Sequence, residues 1–125
     1  MVACEFAGKM QNGAPLLVGI FRQIHTSVPG VLAPFWLALE LEAQPDEVGE
    51  HRLDLRLIDE DGRTMMEAVL GSVFRRREDL GPNFSYFAEQ IFLRDTIQRA
   101  GVYRFDLLWR GEALAELRLE VISAG

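Results

Sequence analysis

The chain has 125 residues, 49% of them hydrophobic and 26% charged, with a formal net charge of −6. That length and mix suit one globular domain over 1–125 that buries its own core without disulfides or a metal. The acidic balance argues against a surface built to neutralise phosphates, which makes nucleic acid an unfavoured partner. No apolar run approaches the roughly 20 residues of a membrane span, and the start lacks the basic-then-apolar layout of a signal peptide. A cytoplasmic protein with no membrane partner is expected.

In chain order, residues 2–8 and 15–22 read as two strands, joined at Gln11-Asn12-Gly13. Asn-Gly suits the positive backbone angles of a hairpin turn. Pro29-Gly30 marks a longer loop over 23–33. In 34–43, Phe35, Leu37, Leu39 and Leu41 share one side while Glu40 and Glu42 take the other. After Pro45, Leu53, Leu55 and Leu57 alternate with Arg52, Asp54 and Arg56 across 51–58. Such period-two patterns are half-buried strands. Asp59-Glu60-Asp61-Gly62 then turns the chain into 64–71.

Gly81-Pro82 closes a loop over 75–83, and 84–93 forms the sixth strand. Asp95-Thr96-Ile97-Gln98-Arg99 has room for one helical turn as a connector between sheets. The last two strands, 102–110 and 113–122, alternate cleanly about Arg110-Gly111. Tyr103 sits just inside a strand after a glycine, where sandwich proteins bond a tyrosine hydroxyl back to nearby backbone. About eight strands, each with an apolar face, pack best as a two-sheet antiparallel β-sandwich of the immunoglobulin-like or jelly-roll type.

Several short stretches also carry a resemblance. They are Cys4 with Gly8-Lys9, Gly19-Ile20-Phe21, Pro34-Phe35, Gly49-Glu50-His51-Arg52-Leu53 and Leu57-Ile58-Asp59-Glu60-Asp61-Gly62. The clearest is Gly101-Val102-Tyr103-Arg104-Phe105-Asp106-Leu107-Leu108 with Gly111-Glu112. On these the chain resembles the uncharacterised bacterial domain-of-unknown-function family 6941. The resemblance implies a sandwich and transfers no catalytic residue, and the segment Phe74 to Pro82 departs most from the family's proline-rich middle loop.

Chemistry-bearing groups are sparse. Cys4, His25 and His51 are the candidates for a thiol–imidazole pair, but Cys4 sits in a strand, where a lone cysteine usually acts as a small buried hydrophobe. No Gly-x-Ser-x-Gly elbow is present. Asp59 and Asp61 are the best oxygen ligands for a metal, and an Asp- and Gly-rich turn explains them without an ion. Arg75, Arg76 and Arg77 could grip an anion, although Glu78 and Asp79 follow at once.

The aromatics point elsewhere. Trp36 is out of phase with Phe35 and Leu37, and both faces of 84–93 are apolar, as is the run Val69, Leu70, Val73, Phe74. Large apolar faces mark contact sites unless a loop such as 23–33 or 75–83 covers them. The reading is a non-catalytic interaction or assembly module that associates with itself or another protein and needs no cofactor. Its contact surface is expected at Trp36, Phe74 and Phe87, with Arg75, Arg76 and Arg77 on the rim. A small-ligand, anion or metal-binding sandwich is the alternative, and an enzyme ranks last.

Overall fold

The computed structural model describes residues 1–43, 49–74 and 83–123. Within them the chain forms nine strands and no helix: β1 (Val2–Lys9), β2 (Pro15–Phe21), β3 (Gln23–Thr26), β4 (Phe35–Ala43), β5 (Gly49–Ile58), β6 (Thr64–Phe74), β7 (Asn83–Ile91), β8 (Gly101–Trp109) and β9 (Glu112–Ser123). They build a four-stranded sheet in the order β2-β1-β4-β7 and a five-stranded sheet in the order β3-β9-β8-β5-β6. The all-β, two-sheet architecture is the one the alternating pattern predicts.

Two points differ from the sequence expectation. Residues 23–26, expected in a loop, form β3, which pairs parallel with β9 from Gln23↔Glu120 to Thr26↔Ser123. The chain thus changes sheet at Arg22, and one ladder of an otherwise antiparallel structure is parallel. The connector 92–100 does run between sheets, but it holds a turn closed by the Thr96 amide on the Leu93 carbonyl (2.9 Å), not a helix. Ile97 plugs it into the core at 1% exposure.

The core lies between the sheets and is made by the inward positions of each alternation. Phe35, Leu37, Leu39 and Ile91 from one sheet meet Leu53, Leu55, Leu57, Phe105, Leu107, Leu117 and Leu119 from the other. Phe35 links them, edge-on to Phe105 at 6.2 Å and to Phe21 at 5.6 Å. Aromatic pairs of this kind add roughly 0.5–1.5 kcal/mol beyond their buried area.

One end of the sandwich is tied by polar groups. The Asp59 carboxylate accepts hydrogen bonds from the Asp61 and Arg63 amides, both at 2.9 Å, and pairs with the Arg63 guanidinium at 3.3 Å. These bonds hold its carboxyl below the usual carboxylate range, the Arg63 amide contributing most. The neighbouring Glu60 carboxylate accepts the Val102 amide at 2.6 Å, and Tyr103 donates its hydroxyl to the Arg99 carbonyl at 2.6 Å. The turn between β5 and β6 is thereby fastened to the start of β8. Gly101 is needed here: its φ is +151°, and a Cβ would lie 2.8 Å from Glu60 Oε1.

Candidate interaction surface

The β1–β2 hairpin sets up the surface. Asn12 and Gly13 close it, with the Gly13 amide bonded to the Met10 carbonyl at 2.9 Å and the Asn12 side chain accepting the Ala14 amide at 3.0 Å. β1 pairs with β4 over Val2–Cys4 alone, whereas its pairing with β2 continues to Lys9↔Pro15. The distal half of the hairpin is therefore free to curl over the outer face of the four-stranded sheet.

It does so through a second, smaller apolar cluster. Cys4, Ala7 and Ala38 are buried there, with Leu17, Trp36, Tyr86 and Ala88 packed against them. Tyr86 on β7 donates its hydroxyl to the Gly8 carbonyl at 3.1 Å, pinning the hairpin across the sheet. Burial pushes the Cys4 thiol and the Tyr86 phenol above their ordinary values. Enclosed in this way, Cys4 packs as a small hydrophobe.

The hairpin's other face is left outside. Phe6 and Val18, directly opposed across the two strands, are 47% and 48% exposed, and Leu16 and Ile20 on β2 are 40% and 58% exposed. Phe6 also stands edge-on to Trp36, with ring centroids 6.0 Å apart. The result is a four-residue apolar stripe backed by an indole. β2 is an edge strand, and Pro15–Phe21 contains no charged residue.

The residues expected to form the contact surface do not come together. Trp36 lies on the outer face, in the cluster beneath the hairpin. Phe87 opposes Leu39 across the β4–β7 ladder and packs against the main core, so the two aromatics occupy opposite faces of one sheet. β6 runs to Phe74, but the Phe74 side chain and Arg75, Arg76 and Arg77 lie outside the described residues. Part of the cover over the outer face comes from the hairpin; of the two expected loops, 23–33 begins with a strand of the other sheet, and 75–82 lies outside the described residues.

Other candidate groups sit apart. The Asp59 oxygens serve the turn, while the Asp61 carboxylate pairs with Arg63 at 3.3 Å and Arg99 at 3.4 Å. Among the described residues no three His, Cys, Asp or Glu side chains gather as metal ligands. His51 meets the Trp109 ring edge-on at 5.8 Å, at a cleft of about 290 Å³ floored by Leu41 and Leu53. His25 lies on β3, in the other sheet from buried Cys4.

The hairpin stripe was missed because β2 reads Pro-Leu-Leu-Val-Gly-Ile-Phe. An unbroken apolar run names no face, and it suggests a central strand where the fold has an edge. No helix among the described residues is long and apolar enough to cross a membrane. No curated protein matches the chain. The model of a family of unknown function, DUF6941, matches residues 1–122, and the chain belongs to that family.

Proposed function

We propose that this chain is a non-catalytic protein-interaction or assembly module that associates with a second copy of itself through the β1–β2 hairpin. The observation that carries the reading is the exposed stripe Phe6, Leu16, Val18 and Ile20. Apolar side chains this exposed and contiguous mark contact surfaces on soluble proteins. Charge supports a second copy as the occupant. At a net charge of −6 two copies repel over most of their surface, and β2 itself carries no charged residue, with Glu5 of β1 lying against its Gly19. An antiparallel meeting about Val18 sets Leu16 of each copy against Ile20 of the other, the self-complementarity of a two-fold contact.

Among sandwich types the immunoglobulin-like one fits best. Its support is the strand that switches sheets at Arg22 and the tyrosine bonded back at the start of β8. Cytoplasmic residence belongs to the same reading, since a lone reduced cysteine needs no oxidising compartment.

Native mass spectrometry of the untagged protein at micromolar concentration tests the proposal. The expected result is a bare dimer that Val18→Lys converts to monomer. Val69→Lys, on the exposed side of β6 in the other sheet, should leave the dimer intact. A bare wild-type monomer, or a dimer indifferent to Val18→Lys, overturns the proposal, and a monomer carrying extra mass moves the assignment to ligand binding.

A further inference from the structure

The chain switch at Arg22 leaves a second, different opening. β3 is the edge of the five-stranded sheet, and beside it runs a groove of about 480 Å³. Gln23, Ile24, His25 and Thr26 all line that groove. Consecutive strand residues point to opposite faces, so a groove that touches four in a row follows the backbone edge and not one face.

The parallel ladder decides which backbone groups that edge presents. The Glu120 amide bonds to the Arg22 carbonyl at 2.9 Å, and Gln23 stands in register with Glu120. In a parallel pair the residues that bond the neighbour alternate along the strand. Arg22, Ile24 and Thr26 therefore direct their backbone groups to β9, and Gln23 and His25 direct theirs into the groove. Among the described residues no other backbone group bonds them.

The opposite wall has the chemistry of a side-chain seat. Phe21, Leu32 and Phe35 supply an apolar floor beside Ile24, and Glu5 supplies a carboxylate. We propose that β3 accepts one extended segment of a partner protein as an added strand, apolar at alternate positions with basic residues between them. The two free N–H and C=O pairs of Gln23 and His25 hold its backbone, the floor takes its apolar side chains, and Glu5 with the chain's overall negative charge selects the basic ones. β3 belongs to the other sheet from the hairpin stripe, while Glu5 and Phe21 of the groove come from β1 and β2 beside it, and the proposal does not depend on self-association.

The probe is the acetylated, amidated peptide Lys-Val-Lys-Val-Lys-Val-Lys, titrated into the full chain and into the Val18→Lys variant. Binding is read by calorimetry and by amide spectra. The expected result is the same binding to both chains, with shifts and slowed exchange at the Gln23 and His25 amides. Binding should weaken at least ten-fold for the isomer Val-Val-Val-Lys-Lys-Lys-Lys and for the peptide N-methylated at every second amide. His25→Pro should lose it equally, since its missing amide faces the groove and spares the pairing with β9. The N-methylated peptide keeps the test decisive should that variant fold poorly. No binding, equal binding of the N-methylated peptide, or shifts confined to residues away from 23–26 overturns the proposal.

Discussion

At the scale of single residues, a few polar side chains hold the end of the sandwich where β8 begins. Tyr103 is 5% exposed, and its hydroxyl reaches the Arg99 carbonyl. Tyr103→Phe removes that bond and strands the carbonyl, so denaturant unfolding should show a loss of about 1 kcal/mol. Asp59 adds a dependence on pH. Its folded-state value is depressed, so its contribution is fully present above the ordinary carboxylate range and is lost as pH falls through the lower folded-state value. Asp59→Ala should therefore melt below wild type at pH 7, with the gap closing as both are acidified past that range. A gap independent of pH would assign the effect to turn geometry instead of charge.

At the scale of elements, the Glu60 carboxylate fastens one hairpin to the next strand. Glu60→Ala should speed exchange of the Val102 amide in native-state hydrogen exchange while leaving Leu107, two turns of the pleat further in, protected. Elements were also where the sequence was most legible. β5, β8 and β9 alternate over most of their length because one face of each lies on the core, and β4 keeps Phe35, Leu37, Leu39 and Leu41 in phase although its other face carries Trp36 and Ala38. β3 was not legible. Gln23-Ile24-His25-Thr26 offers a single inward pair, Ile24 and Thr26, and its partner β9 lies almost a hundred residues along the chain. Trp36 was correctly read as opposing Phe35 and Leu37, but phase alone cannot say which neighbour covers it. That depends on how the hairpin curls, and the decisive bond, Tyr86 to Gly8, joins positions with no local relationship.

At the scale of the whole molecule, the two sheets share one core, so neither should survive without the other. The two tryptophans report this directly, Trp36 lying in the four-stranded sheet and Trp109 in the five-stranded one. Single-tryptophan variants Trp36→Phe and Trp109→Phe should each unfold in one transition. The fluorescence midpoint of each should coincide with that variant's own circular-dichroism midpoint. Separated midpoints within a variant would mean that the contact of Phe35 with Phe105 does not couple the layers. The exposed apolar stripe of the hairpin was the least legible feature at this scale. An apolar edge strand and an apolar central strand have the same composition, and only the strand order tells them apart.

The parallel pairing of β3 with β9 also has a meaning in the order of synthesis. β9 is the ninth of the described strands in chain order, yet it occupies the second place in its sheet, between β8 and β3. During translation β3 emerges early and has no ladder partner until residues 120–123 have left the ribosome. The first chain reversal, β1 with β2, can close at once, whereas β3 takes its place in the five-stranded sheet only after β5, β6, β8 and β9 have all been made. Contacts of such separation slow folding. Over that interval the backbone groups of Gln23–Thr26 have no strand on either side to pair with.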